Sequence, residues 1–345
     1  IAGRTIDDPD LKLSILSVGD DDQNIYTFRG ANVQFIQRFQ QDYAAEVHYL
    51  VENYRSTGYI IEVANQLIAA NADRMKTERP IRSDRHRELL GPGGNFGRRD
   101  GLSQGKAQLI QVADSTCQAQ AVLAEIGRLR KLGVTDWSSI AVLSREHNDL
   151  AQVRTLAEAE SIPVRWVAGR SATPPLHQIR EIDSFLARLE QSRSSFIRAS
   201  GLAGLAAETL RTREGNPWTG FLYRLIEAWR AESGDAERPM QEAIEFLYEG
   251  CAESRREFTY GAGVTLSTVH SAKGTEFDHV LLVGPWRLPP ERVKREEERR
   301  AFYVGLTRAR KTLAVFDRGD VRPSLPDTLK GTAVIRRPFT GQKTG

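Results

Sequence analysis

Apolar positions along the chain fall into short runs and helical stripes. Leu11, Leu13, Ile15, Leu16 and Val18 form a β-like run that stops at Gly19-Asp20-Asp21-Asp22, where a loop at the C-terminal end of a strand belongs. A second short run over 47–51 ends at Asn53-Tyr54-Arg55-Ser56. Ile60, Ile61, Val63, Ala64, Leu67 and Ile68 then recur at helical spacing. Further on, strand patterns at 107–113, 140–143 and 164–167 alternate with helical patterns at 117–132 and 149–159, which predicts a parallel sheet with helices on its faces. From His177 to about Glu253 the segment reads as helical throughout, with Trp218, Phe221, Leu222, Leu225, Ile226 and Trp229 on one stripe, and this predicts an inserted helical subdomain. Strand patterns resume at 264–269, 280–283 and 313–316, with a helix over 296–309 before the last, so the sheet is interrupted and then completed. Residues 77–106 shift to Arg, Gly and Pro and read as a long loop. The tail after Asp317, with Pro323, Pro326 and Pro338, is assigned no element.

Composition changes this picture only a little. With 345 residues, 40% hydrophobic and 27% charged, the chain reads as a globular protein of two domains. Cys117 and Cys251 stand far apart and have no Cys or His neighbours at zinc spacing, which argues against a disulfide framework and a structural metal and suits the cytoplasm. No apolar run approaches the roughly 18 to 20 residues of a membrane span. Ile1 is neither an initiator Met nor part of a signal peptide, so it is expected to be a cut within a longer protein. The net charge of +3 says little, but its distribution says more. Arg79, Arg82, Arg85, Arg87, Arg98, Arg99 and Lys106 cluster in the Gly/Pro-rich stretch, and a second basic cluster over 287–311 is interleaved with Glu296-Glu297-Glu298. Such clusters can neutralise phosphates, or simply be a solvated loop and a charged helix face.

Four segments carry candidate chemistry. In the first, Gly19-Asp20-Asp21-Asp22-Gln23-Asn24-Ile25-Tyr26-Thr27-Phe28-Arg29, three carboxylates after a strand could hold Mg²⁺ or merely cap a helix. Gln23 can orient a γ-phosphate or an attacking water, while Tyr26, Phe28 and Arg29 supply stacking faces and a phosphate donor. In the second, Glu52-Asn53-Tyr54-Arg55-Ser56-Thr57, Tyr54 can stack on a purine and Arg55 can reach a transferring phosphoryl group; as an isolated string it would be core and surface. In the third, Val264 to Asp278, a strand ending in His270-Ser271-Ala272-Lys273-Gly274 offers imidazole, hydroxyl, ammonium and unhindered backbone N–H groups to phosphate oxygens, and Glu276 could accept from a ribose hydroxyl. The fourth, Glu296 to Arg310, could be a salt-bridged helix with an apolar stripe, and it ends in Thr307-Arg308-Ala309-Arg310.

In this order the four segments resemble motifs III, IV, V and VI of the UvrD/Rep/PcrA-like superfamily 1 DNA helicases, and the resemblance covers most of the chain apart from the basic loop and the tail. It implies an α/β fold: a RecA-like parallel sheet flanked by helices (domain 2A) with an inserted all-helical subdomain, a reduced 2B. The implied organisation is the end of domain 1A with motif III at 1–45, the first part of domain 2A at 46–176 with its basic loop at 77–106, the 2B-like insertion at 177–262, the remainder of 2A at 263–320, and a tail at 321–345.

By the same resemblance Gln23, Arg55 and Arg308 serve the γ-phosphate. Tyr54, Lys273, Gly274 and Glu276 bind nucleotide, Tyr26, Phe28, Arg29, His270 and Ser271 contact DNA, and no residue of this chain is assigned to a metal. Phe28 stands where the family usually has Trp. The implied activity is ATP-dependent 3'-5' helicase or translocase action on single-stranded DNA and ss/ds junctions in repair or replication. The implied partners are ATP, Mg²⁺, the upstream 1A domain and repair-complex proteins. Residues 1–345 contain neither a G-x-x-x-x-G-K-[ST] phosphate-binding loop nor an Asp-Glu dipeptide for a DExx box, so the chain alone is expected to be inactive. Two rival readings are a catalytically dead helicase-like nucleic-acid-binding module and a subunit of an AddA- or RecB-type helicase–nuclease.

Overall fold

The computed structural model describes residues 15–26, 34–72, 74–167, 176–192, 194–209, 217–254, 259–260 and 262–340. At its centre is an eight-stranded sheet made of β1 (Ala107–Val112), β2 (Ile140–Ser144), β3 (Val164–Val167), β4 (Thr259–Tyr260), β5 (Val264–Thr268), β6 (Phe277–Leu282), β7 (Ala309–Arg318) and β8 (Val334–Pro338). Their spatial order is β8-β1-β7-β6-β2-β5-β3-β4. Seven strands run parallel, and β4 pairs antiparallel with β3 at one edge.

The two-residue period of a strand divides its side chains between two cores. Leu109, Leu143, Leu282, Leu313 and Val315 face helices α2 (Gly58–Ile68) and α9 (Arg292–Leu306), while Ile110, Val142, Leu281, Ala314 and Phe316 face α3 (Ser115–Lys131) and α4 (Ala151–Ala159). Helix α1 (Gln34–Tyr43) follows the acidic loop. Helices α5 (Arg180–Glu190), α6 (Ala199–Thr209), α7 (Pro217–Ser233) and α8 (Met240–Ser254) form a third core of their own, in which Phe221, Leu222, Leu225, Ile226 and Trp229 are buried. No helix among the described residues is long and apolar enough to cross a membrane.

Several elements differ from the sequence reading. The described part of the first apolar run, 15–18, is unpaired, with Leu16 88% and Val18 79% exposed. The run at 47–51 is not a strand. Only Glu52–Asn53 is regular, paired with Arg82–Ser83. The insertion is not purely helical, because Phe196–Ile197 pairs antiparallel with Arg238–Pro239.

The stretch 77–106 is folded. It contains helical turns at Arg85–Glu88 and Phe96–Arg99, Phe96 is buried in the core under α3, and buried Asp100 pairs with Arg128 at 2.8 Å. Its glycines had read as loop, yet Gly91, Gly94 and Gly105 adopt positive φ and so make the tight turns that Gly alone tolerates readily. The tail is ordered as well: Val321, Leu325, Leu329 and Ala333 are buried, and β8 closes the sheet edge, where a terminal proline costs no ladder bond. Finally, α9 begins and ends earlier than predicted, which leaves Arg308 in the link to β7.

Candidate nucleotide and nucleic-acid site

The sheet register dictates where the third motif runs. Thr268, the last residue of β5, lies level with Ser144 at the end of β2, whereas His279 of β6 lies level with Ile140 at the start of β2. The chain over 269–276 must therefore cross back from the carboxyl ends of the strands to the amino ends. It does so against α9, with Val269 and Ala272 sharing a core with Ala301, Phe302 and Leu306. Gly305 makes the approach possible, since a Cβ there would meet Leu282 at 2.9 Å and Val269 at 3.1 Å. Gly274 sits in the crossing at φ +92, so its backbone carries a turn most residues resist.

At the amino ends lies Arg308, only 2% exposed. Among the described residues its acceptors are all neutral: the carbonyls of Val304 (3.0 Å) and Thr275 (3.1 Å), the Thr307 hydroxyl (3.2 Å) and the Gln23 side-chain oxygen (3.1 Å). Burial, followed by repulsion from Arg55, pushes its pKa down to about 10, which still leaves it cationic at neutral pH. Gln23 is oriented by donating to Asp20 at 2.8 Å, and this aims its carbonyl oxygen at Arg308. Lys273 places its Nζ 4.9 Å from the centre of the Tyr26 ring, and burial lowers its pKa. Asp20 and Glu276 act on these cations only from a distance, and a phosphate would supply a directly bonded anion.

Arg55 forms an ion pair with Glu276 and donates to the Thr307 carbonyl at 3.3 Å, while Arg310 approaches the other Glu276 oxygen at 3.6 Å. Glu276, read as a ribose acceptor, thus stands between two guanidiniums. Tyr54 is 67% exposed, with its hydroxyl donating to Glu52 at 2.8 Å.

At the carboxyl ends, His270 is engaged three ways. Its Nε2 lies 3.1 Å from the Ile25 carbonyl, its Nδ1 lies 3.1 Å from Arg145 Nη1, and its own carbonyl accepts from the Tyr26 hydroxyl at 3.0 Å. An Nε2–H tautomer satisfies both ring contacts, with Nδ1 accepting from Arg145. Arg145 also pairs with Glu298 of α9 at 3.0 Å. Ser271 is exposed and accepts from the Thr268 hydroxyl at 3.2 Å. Phe28 and Arg29 lie outside the described residues.

The three consecutive carboxylates do not suit a resident metal. Their oxygens lie within 4.8 Å of one another, but two of the three are already matched by cations and the third by a backbone N–H. Arg74 binds Asp22 through two bonds of 2.7 and 2.8 Å, Lys76 binds Asp20 at 2.5 Å, and Asp21 accepts from the Met75 backbone at 2.6 Å. Arg74, Lys76 and Arg145 were missed as site residues. Arg145 had one usable signal, its place just after a strand; Arg74 and Lys76 had none.

Comparison with known proteins bears on the family of the chain. The UvrD-like helicase C-terminal domain family matches residues 48–190 and 222–317, and the UvrD/REP helicase N-terminal domain family matches residues 7–44. DNA helicase II of Haemophilus influenzae is 26% identical, over 87% of this chain and 51% of its own length. ATP-dependent DNA helicase UvrD2 of Mycobacterium tuberculosis is 32% identical, over 86% and 42%. DNA helicase II of Escherichia coli is 29% identical, over 87% and 51%. The chain spans about half the length of the curated relatives it matches.

Proposed function

The chain belongs to the UvrD-like helicase family, and from that premise we propose that it is the C-terminal part of an ATP-dependent helicase that moves 3'-5' along single-stranded DNA in repair or replication. The observation that carries this reading is Arg308, a buried cation that, among the described residues, is hydrogen-bonded only to neutral acceptors, one of them the side chain of Gln23. Such a group awaits an anion, and a phosphoryl group in transfer spreads negative charge that an arginine stabilises.

In this reading residues 1–45 end domain 1A, residues 46–176 and 263–320 form RecA-like domain 2A, residues 177–262 are a reduced 2B, and β8 of the 321–345 tail completes the 2A sheet. Arg308, Arg55 and Lys273 face the ATP phosphates, Tyr54 stacks on the base, and Gly274 presents backbone to the nucleotide. Glu276 reaches the ribose by exchanging its guanidinium partners. Tyr26, Phe28, Arg29, His270 and Ser271 face single-stranded DNA. The four-residue stretch from Gln23 to Tyr26 touches Arg308 at one end and His270 at the other, so a movement at the phosphate is passed to the DNA surface. Mg²⁺ neutralises phosphate charge, and with Asp20 and Asp22 already matched by cations and Asp21 bonded to the Met75 backbone we assign it to the ATP itself and to a DExx box outside this chain. Ile15, Leu16 and Val18 border a cleft of about 800 Å³ with α1, which we assign to packing against the rest of domain 1A. The protein is placed in the cytoplasm, working on single strands and ss/ds junctions with other repair proteins.

The test uses the full-length protein. Arg308→Ala should reduce the kcat of DNA-stimulated ATP hydrolysis by roughly 10³-fold and spare single-stranded DNA affinity; a near-normal kcat rejects the role. Purified residues 1–345 should show no DNA-stimulated hydrolysis, and measurable turnover would overturn their dependence on a separate phosphate-binding loop.

A further inference from the structure

The folded 77–106 stretch leads beyond these roles. Its composition suggested a nucleic-acid contact, yet most of its basic side chains are turned onto the protein. Arg79 lies over the Tyr49 ring at 4.8 Å, Arg99 over Phe96 at 5.6 Å and Lys106 over Tyr59 at 6.0 Å, while Arg82 reaches Glu52 at 3.2 Å and Arg87 donates to the Tyr54 carbonyl at 2.7 Å. Two of these five contacts converge on the segment that presents Tyr54.

The backbone explains why. Glu52 and Asn53 pair in parallel with Arg82 and Ser83, and the Asp84 N–H continues the contact by donating to the Asn53 carbonyl at 3.3 Å. Asp84, 6% exposed, then caps the next helical turn by accepting from the His86 and Arg87 backbones at 3.2 and 3.3 Å. That turn carries Arg87 over the Tyr54 carbonyl. Beyond it, the Pro92 carbonyl accepts from Tyr59 at 3.0 Å and Gly94 abuts Thr57, which seats the stretch on the start of α2. Tyr54 is therefore held at both ends, with its hydroxyl on Glu52 and its carbonyl under Arg87, while its ring stays open to solvent. The same hydroxyl bond draws the Glu52 carboxyl below its ordinary range and raises the Tyr54 phenol.

We propose that the 77–106 stretch is a nucleotide-positioning element, in which Arg87, together with the Arg82–Glu52 pair, fixes Tyr54 as the stacking face for the base of ATP. This rests on the assignment of Tyr54 to nucleotide binding. An exposed aromatic ring samples several rotamers, and a base can stack only on the one aimed at the site, so fixing that rotamer beforehand lowers the cost of binding. Arg87, Arg82 and Glu52 act through Tyr54 and are positioning residues. The ligand part they govern is the base, not the phosphates.

Steady-state ATP hydrolysis by the full-length protein tests this, with Arg308→Ala as the reference for the underlying reading. Arg87→Ala and Tyr54→Phe should each raise KM for ATP about fivefold with kcat retained, the scale of one solvent-exposed polar contact. Tyr54→Phe keeps the ring and alters no contact of the 77–106 backbone, so it answers even if Arg87→Ala folds poorly. Glu52→Ala combined with Tyr54→Phe should be no worse than Glu52→Ala alone, because the Arg82–Glu52 pair acts through the Tyr54 hydroxyl bond that both substitutions remove. Inhibition by inorganic tripolyphosphate, which has no base, should be unchanged in all of them, and Arg98→Ala, in the same stretch but away from Tyr54, should behave as wild type. An unchanged KM in Tyr54→Phe and Arg87→Ala overturns the inference while leaving the helicase reading intact, as does a parallel loss of tripolyphosphate affinity. A wild-type enzyme without ATP turnover removes both.

Discussion

Two buried guanidiniums about the acidic loop have opposite surroundings. Arg74 lies against Asp22 through two short bonds, and that carboxylate holds its pKa above the ordinary arginine value. Arg308 is buried more deeply and, among the described residues, bonds only to carbonyls, a hydroxyl and an amide, and burial pushes it down to about 10. Both cations have lost water; only one is bonded to a counter-charge. A matched buried pair serves to hold a loop in place, whereas an unmatched buried cation stores an attraction for a ligand.

The sharpest way to break this contrast is to remove each cation in turn. Arg308→Ala should show the larger functional effect, the roughly 10³-fold loss of kcat, with little or no fall in Tm, because deleting an uncompensated buried charge relieves a desolvation cost. A marked fall in Tm would mean that Arg308 is chiefly structural. Arg74→Ala should do the reverse to stability. It leaves the Asp22 carboxylate, of which only 2% is exposed, with Lys76 at 3.7 Å as its remaining cation, so the loss falls at or below the roughly 3–5 kcal/mol of a fully broken buried pair, readable as a lower urea midpoint of residues 1–345. An unchanged midpoint would show that the pair does not pin the loop.

The same contrast marks what could be read in advance. Gln23 and Arg308 were singled out by their motifs, and the fold brings them to 3.1 Å across 285 residues of sequence. Lys273 joins them because the register forces its segment back across the sheet. Arg74 and Lys76 belong to no motif, and their partners lie more than fifty residues away, so no local pattern could announce them. Among the strands, β2 was legible because every residue is buried, which leaves Ile140 to Leu143 as an uninterrupted apolar run, whereas β5 showed itself by Val264 and Leu266 alternating with the buried hydroxyls of Thr265 and Ser267. The 77–106 stretch was misread because its order depends on few apolar anchors, chiefly Phe96, together with buried polar groups such as Asp100 and Ser103. Hydrophobic periodicity is blind to polar anchoring. β8 was hidden for a related reason: it lies at an edge and alternates only weakly, with Arg336, Arg337 and Pro338 in its five residues.

The smallest effect concerns Asp21, the one carboxylate of the three with no arginine or lysine bonded to it. Its bond is to the Met75 backbone, and burial, the largest influence, raises its pKa above 3.8, with Asp22 and Asp20 adding repulsion. A raised carboxylate pKa means that the folded state holds its proton more tightly than the unfolded state. The folded state is therefore favoured at low pH, and that advantage is lost as pH rises from about 3.8 through the raised folded value. Asn at this position can still accept from Met75 but never ionises. Asp21→Asn should accordingly match wild type in urea midpoint below the window and exceed it modestly, by about 1 kcal/mol or less, at pH 7. A variant less stable than wild type at pH 7 would show that the Asp21 charge is itself matched, and would place it on the Arg74 side of the contrast.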